Sequence, residues 1–424
     1  MTTHASRDIP RFDLRAGVRD FRGALSLKAA SAGTVAAIFG CSGPALIVIS
    51  AADAGNLTSG QTVAWLLAIY LLGGLISLIM ALGYRQPITG AYSIPGAAIM
   101  TGALATIGFD AAVGAFIMSG ALVLALGLSG VVGRVMRWLP MPIIMAMIAG
   151  ALIRFGIGAV EAVGAMPLVA GSAAAVFFLT LRFVPSVPPV LAALVVGLIA
   201  AFATGAITTG DTPLAFETPQ FTAPAFTLEA FLAISIPLSL LVIGAENAQA
   251  TGVLMAERYR PPVNAMTVVS GIGGMIAGAM GGHNANIAGP MTAICSSSEA
   301  GEDRDRRFAA TVVNGVLFGA FGLVAGAAVP LVLALPRPLI GCIAGLAMIS
   351  VLVGAFQQAF VRGRAHQIGA FVALVVAMSS FSLFGISSPF WALVFGVGVS
   401  LLLDPGAFDR SDAEPLDGER TQSA

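Results

Sequence analysis

Apolar residues fall in long blocks separated by short polar breaks. After a polar start over residues 1–28, blocks run at roughly 30–52, 61–82, 88–107, 111–132, 139–160, 165–182 and 188–207. A polar stretch with Asp211, Glu217 and Glu229 follows, and then blocks at roughly 231–256, 262–277, 279–298, 308–329, 335–355, 367–385 and 389–403. Most are near the roughly 20 residues that carry a helix across a bilayer. The pattern predicts an all-α polytopic membrane protein with 14 transmembrane segments, seven on either side of a loop at 208–230. In the polar start, Phe12, Leu14, Val18, Phe21 and Leu25 recur at roughly helical spacing. That predicts an amphipathic helix lying on the membrane surface, with a disordered basic arm as the alternative. The acid-rich tail at 404–424 predicts disorder.

Composition agrees with the blocks. The 424 residues are 57% hydrophobic and 10% charged, against about 25% charged in a soluble domain. Small residues let membrane helices approach closely, and 51 glycines supply them. A formal net charge of zero indicates no nucleic acid or other polyanion as partner. Cys41, Cys295 and Cys342 lie in apolar blocks without metal or disulfide spacing. Residues 1–28 are Arg-rich and lack an apolar core, so no cleavable signal peptide is expected. With no nucleophile–base pair, Walker sequence or metal cluster, neither an enzyme nor a cofactor is expected.

Charge tests the topology. With the N-terminus inside, 19 of the 21 basic residues fall on inner loops, and only Arg154 and Arg337 fall in the outer half. A missed span would scramble that separation, so both termini are expected in the cytoplasm. The halves also echo each other. Residues 139–152 read LPMPIIMAMIAGAL and residues 335–347 read LPRPLIGCIAGLA, each opening the fifth span of its half. A weaker echo links AYSIPGAAIMTG on the third span to NANIAGPMTAIC on the tenth. Seven spans is an odd number, so the second half enters with opposite polarity. Inverted repeats of this kind place substrate near the midplane.

The third and tenth spans are broken. Pro87, Gly90, Pro95 and Gly96 interrupt one; Gly278, Gly281, Gly282, Gly289 and Pro290 interrupt the other. Each is expected to be a short extended piece followed by a half-helix, with Ser93 and Asn286 as N-caps and Pro just inside. Irregular backbone at membrane depth is tolerated where it lines a cavity. Two half-helix N-termini facing each other at mid-depth would suit an anion such as a carboxylate. Two kinked packing helices are the plainer alternative.

Glu246, near the middle of the eighth span, is the one carboxylate far from every predicted boundary. An acid there costs about 2.5–3.5 kcal/mol on insertion scales, and water exclusion disfavours its charged form. It is the expected proton carrier or substrate contact, with Asn247 and Gln249 beside it; a structural acid bonded to a neighbouring helix is the alternative. His283, the one histidine within a membrane block, could relay a proton, contact an anion or be a satisfied structural residue. Arg154 reads as a snorkelling side chain or a functional cation. Cys41, Ser42, Gly43 and Pro44 interrupt the first span and could line the cavity.

The stretch GAENAQATGVLMAERYRPP followed by GGHNANIAGPMTAICSS resembles the benzoate/proton symporter family, the BenE-type benzoate membrane transporters, as do ITGAYSIPGAA and LPMPIIMAMIAGAL. The resemblance covers nearly the whole chain except its ends. It implies a fold similar to nucleobase and sulfate carriers, with a core domain of spans 1–4 (29–135) and 8–11 (231–330). A gate domain comprises spans 5–7 (136–207) and 12–14 (331–403), flanked by the arm 1–28, the external loop 208–230 and the tail 404–424. Those carriers often place a glutamate on the eighth span, where Glu246 falls. Nucleobase carriers tend to carry a carboxylate at the tenth half-helix; here the residues are His283, Asn284, Ala285 and Asn286, which favours an anionic ligand. A homodimer is implied by the resemblance alone.

The expected function is proton-coupled import of benzoate or a related aromatic carboxylate across the inner membrane by alternating access. The carboxylate would meet Ser93, Ile94, Pro95 and Gly96 on one side and Asn284, Ala285, Asn286 and Ile287 on the other, with the ring against Phe39, Tyr92 and Ile287. Ser42, Asn247 and Gln249 complete the expected contacts, and Glu246 and His283 the proton path. A nucleobase or inorganic anion carrier of the same fold, or an anion channel, is the alternative.

Overall fold

Helix punctuation in this chain follows its glycines, prolines and short polar residues. The computed structural model describes residues 11–41, 43–130, 140–184, 187, 189–206, 216–327, 335–361, 365–379, 381–383 and 386–405. Helix α1 (Leu14–Ala24) starts at Asp13, whose carboxylate accepts the Ala16 N–H at 3.0 Å. Leu14 and Val18 stay exposed while Gly17 packs on the Leu82 backbone. A helix therefore stands where the apolar spacing predicts one. Helices α2 (Leu27–Cys41) and α3 (Gly43–Ala54) cover the first apolar block. Helix α4 (Ser59–Tyr84) opens on a capping box between Thr58 and Gln61 and ends at Arg85 in the left-handed region.

After Pro87 the backbone runs extended into β1 (Gly90–Ala91), and Ser93 caps α5 (Ile94–Ala103). Helices α6 (Phe109–Ser129), α7 (Met141–Ala165), α8 (Val169–Phe183) and α9 (Pro189–Ala203) follow. Helix α10 (Leu228–Met255) contains two π-helical stretches, Phe231–Ser235 and Leu241–Asn247. Helix α11 (Val263–Ala279) leads to β2 (Asn286–Ile287) and α12 (Gly289–Ser296). Then come α13 (Phe308–Leu323), α14 (Arg337–Ala359), α15 (Gln367–Met378), the pair β3 (Ser382–Leu383) and β4 (Ile386–Ser387), and α16 (Ser388–Leu403).

Among the described residues, five helical stretches are long and apolar enough to cross a membrane unaided, with α2 and α3 together (Leu27–Ala54) counted as one, and α14, bent by 41°, makes a sixth. Apolar side chains such as Val160, Phe202 and Leu402 project outward, as they would toward lipid. Two sets of helices pack among themselves: α4 and α2 against α13, and α6 against α11; then α7 against α14 and α15, α15 against α16, and α8 against α9. The sets meet where α3 and α5 touch α14 and α7.

Two expectations need correction, the helix over 367–385 and the Asn286 cap. The block at 367–385 is helical only to Met378; Ser379 leaves the helix with ψ 161° and the following residues form the β3–β4 pair. Residues 216–227 of the expected external loop lie across helix tips. Glu217 N–H donates to Gly326, Gln220 N–H to Gly60 and Ala225 N–H to Asp110. Helix α10 begins at Leu228, with Thr227 as its cap. Asn286 is not the cap of the second half-helix: Asn286 belongs to β2, and α12 starts after Ala288 without a side-chain cap.

Candidate functional site

The two broken segments meet. β1 pairs antiparallel with β2, Gly90 opposite Ile287 and Ala91 opposite Asn286. The pairing continues on both sides: Ala288 N–H donates to Thr89 O at 2.9 Å, Thr89 N–H to Thr292 Oγ1 at 3.2 Å, and Ser93 N–H to Asn284 Oδ1 at 3.0 Å. Buried backbone polar groups need partners, and each broken segment supplies them to the other. Helix α4 packs directly on this bridge, because a Cβ at Gly73 would come within 2.7 Å of the Ala91 Cα.

Beyond the bridge each chain turns into its half-helix. Ser93 Oγ accepts the Gly96 N–H at 3.0 Å, and Pro95 sits in the first turn of α5. Pro290 takes the same place in α12. Glu246, at the end of the second π-helical stretch of α10, reaches both half-helix starts. Its Oε2 accepts the Gly289 N–H at 3.3 Å, and the Ile94 N–H and Ser93 hydroxyl face the same carboxyl. Glu246 is only 3% exposed. Helix N-termini carry unpaired N–H groups and partial positive charge, and this carboxyl lies where two of them converge. A π-turn inserts an extra residue into a helix and recurs at functional sites.

Next to the carboxyl lies a cavity of about 520 Å³, within the usual range for small-molecule sites. Phe39, Ile94, Pro95, Pro290 and Ile294 form one wall, and Met141, Met145, Ile148 and Gln358, from α7 and α14, form the other. Glu246 is the one ionisable group among the described lining residues, and Gln249 and Gln358 are its amides. Gly289 admits Gln249 at close range: any Cβ there would collide with the Gln249 side chain.

Of the expected site residues, Ile94, Pro95, Glu246, Gln249 and Phe39 line this cavity. Ser93 and Gly96 are buried behind them at the α5 cap. Ala285 and Ile287 are fully buried in a cluster with Ile76, Ile88 and Leu254. Tyr92 is also buried, its hydroxyl 2.9 Å from that of Tyr70, which donates to Gly40 O at 2.7 Å. Tyr92 and Ile287 thus pack the bridge rather than the cavity wall. Asn247 Oδ1 accepts from Ser270 Oγ at 3.1 Å, which also accepts the Ile287 N–H. Asn286 Nδ2 donates to Ile287 O at 3.1 Å. Ser42 lies outside the described residues.

His283 is fully buried and held at both ring nitrogens. Trp65 Nε1–H donates to Nδ1 at 2.9 Å, and Nε2 lies 2.9 Å from Ser93 O. Because Nδ1 accepts, Nε2 carries the proton and donates to Ser93 O, which fixes one neutral tautomer. The geometry favours the structural reading of His283: it ties α4 to the start of α5. Sequence reasoning missed the opposite wall, Met141, Met145 and Gln358, and the pinning residues Trp65, Ser270, Thr89 and Thr292. Gln357 and Gln358, two amides at the end of an apolar block, were the available signal.

Comparison with known proteins gives a consistent picture. The family profile described as "BenE: Benzoate membrane transport protein" matches residues 23–402. The chain is 33% identical over 365 residues to the inner membrane protein YdcO of Escherichia coli (strain K12), covering 86% of this chain and 93% of that protein. It is 26% identical over 385 residues to the benzoate membrane transport protein of Acinetobacter baylyi, covering 90% and 97%. Among solved structures it resembles the transmembrane domain of the cyanobacterial bicarbonate transporter BicA, with TM-score 0.59 at 15% identity over 93% of this chain and 99% of that one. It also resembles the murine anion transporter Slc26a9 in the inward-facing state, with TM-score 0.58 at 13% identity over 95% and 73%. These likenesses establish a shared fold.

Proposed function

The chain belongs to the benzoate membrane transport protein family, and from that premise we propose that it imports benzoate or a close aromatic carboxylate together with a proton. It is a helical multi-pass membrane transporter rather than an enzyme. One observation carries the finer reading: the Glu246 carboxyl lies between the N-terminal ends of two half-helices, at the edge of an apolar cavity. When ionised, Glu246 takes the N–H groups of Gly289 and Ile94 for itself and repels a second carboxylate. When protonated, it no longer competes for them as an anion, and a substrate carboxylate takes them instead. Proton and anion then bind together or not at all, which is the linkage a symporter needs. The ring rests against Phe39, Met145 and Ile294.

The reading extends to the whole chain as 14 spans in a 7+7 inverted repeat. Spans 1–4 and 8–11 form a core that carries the site, and spans 5–7 and 12–14 a gate that moves against it. Both termini lie in the cytoplasm, on the evidence of the Lys and Arg distribution. Gln358 and Met141 sit at the inner ends of their spans in this topology, so the cavity beside Glu246 opens inward. His283 serves the bridge, and Glu246 carries the proton.

The test is labelled-benzoate uptake into proteoliposomes with an inward proton gradient, after subtraction of the leak of benzoic acid through protein-free vesicles. Saturable uptake, collapsed by a protonophore and inhibited by aromatic carboxylates but not by uracil, sulfate or bicarbonate, is expected. Inhibition by bicarbonate or sulfate instead would assign an inorganic anion. Current without pH dependence would indicate a channel.

A further inference from the structure

The cavity beside Glu246 touches the start of α5. A second cavity, of about 370 Å³, opens at the other end of the same half-helix, between α5, α7, α14 and the end of α15. The two share no lining residue, and the ten residues of α5 span about 15 Å at 1.5 Å per residue. Ile99, Phe155 and Phe381 give this second chamber apolar and aromatic walls. Arg154 is the one ionisable group among its described lining residues.

Arg154 is exposed at the chamber, but its guanidinium is tethered to the protein. Its Nη2 donates to the carbonyl oxygens of Met378 at 3.3 Å and Ser379 at 2.8 Å, the last turn of α15. Those two carbonyls fix the guanidinium at the chamber wall. A guanidinium carries five N–H donors in a planar fork suited to a carboxylate, so three donors remain on Nε and Nη1. Thr101 lines the same chamber, and its Oγ1 is buried without a protein partner among the described residues. An inorganic anion would gain from Arg154 but nothing from the apolar walls. A neutral arene would use the walls and leave the cation unmatched. An aromatic carboxylate uses both.

We propose that this chamber is an outer waiting site for the aromatic carboxylate, with Arg154 holding the carboxylate before it reaches Glu246. The proposal rests on the import reading above, and it assigns Arg154 and Thr101 a direct contact with substrate on the outer side. It also gives the lone outer-half cation of α7 a purpose that charge topology does not require.

Protection from labelling tests it. Thr106, exposed at the chamber rim, is replaced by cysteine (Thr106→Cys) and labelled from outside with a membrane-impermeant maleimide in right-side-out proteoliposomes. Cys295 and Cys342 are buried and Cys41 half-buried, so the unsubstituted chain gives the background. Benzoate is expected to slow the labelling, and benzamide, its neutral analogue, is not. Arg154→Gln should raise the half-protecting benzoate concentration tenfold or more, and Arg154→Lys much less. Thr101→Val, which leaves the α15 contact intact, should raise it severalfold. Uptake by Arg154→Gln vesicles separates the two readings, since the central site is unchanged in that variant. Equal protection by benzamide, an unchanged half-protecting concentration in both Arg154→Gln and Thr101→Val, or no labelling from outside would overturn the proposal. Protection without any wild-type uptake would leave the carboxylate site standing and remove the import reading.

Discussion

Glu246 fills the place between the two half-helix ends that a bound carboxylate would take, and its neighbours are shaped around that fact. Gly289 is the tightest of them: a methyl group there meets Gln249 and pushes α12 away from the carboxyl. Gly289→Ala is therefore expected to lower Vmax/KM for benzoate at least tenfold, about 1.4 kcal/mol of transition-state stabilisation, with normal membrane insertion. Uptake within twofold of wild type would show that this close approach is dispensable. His283 makes the opposite prediction. Replacing it by Phe strands the Trp65 N–H, while the Ser93 carbonyl keeps the Ala97 N–H, and an unpaired buried group costs about 1–3 kcal/mol. Thermal unfolding in detergent should show that loss, while the pH profile of residual transport keeps its midpoint. A shifted midpoint would return His283 to the proton path. At this scale the sequence was legible where a residue type is costly in its setting. An acid in mid-membrane and a Ser-Ile-Pro start to a half-helix announce themselves. Met141 and Met145 do not, because methionine in an apolar block looks the same whether it faces lipid, core or cavity.

Among the elements, the two half-helices form one unit through the β1–β2 bridge, and neither half can satisfy its backbone alone. Gly73→Val should wedge α4 off β1 at Ala91 and lower both folded yield and transport; normal values for both would contradict the packing described. The breaks themselves were legible from Gly and Pro spacing. The cap of α12 was not, because Asn286 satisfies Ile287 O within β2 rather than the helix. The π-helical stretch that sets the reach of Glu246 also left no trace in residue types. The amphipathic helix α1 was visible in its apolar spacing, and its attachment is electrostatic as well as apolar. Arg85, and then Arg19, hold the Asp20 carboxyl below the usual carboxylate range. A lowered carboxylate pKa stabilises the docked form above the ordinary carboxylate pKa and loses that contribution as pH falls through the lowered value. The protection of the α1 amides, taken against the intrinsic exchange rate at each pH, is thus expected to be high at neutral pH and lower in acid, and Asp20→Asn should remove that change in protection. The group is exposed and screened by salt, so the effect is confined to α1.

For the molecule as a whole, block lengths and composition described a polytopic membrane protein, and the resemblance of its motifs to the benzoate transporters described a carrier. What they could not supply was the pairing of distant spans. Helices α7 and α14 are brought together only by packing, and with them come the second wall of the cavity beside Glu246 and one side of the chamber around Arg154. The central claim is that a proton on Glu246 yields the half-helix ends to a carboxylate. Benzoate exchange and proton-driven accumulation, measured on the same Glu246→Gln proteoliposomes with protein-free vesicles subtracted, test it most directly. Glutamine mimics the protonated acid, so exchange of internal for external benzoate should persist while accumulation no longer follows the imposed proton gradient. Gradient-driven, protonophore-sensitive accumulation equal to wild type in Glu246→Gln would contradict the account.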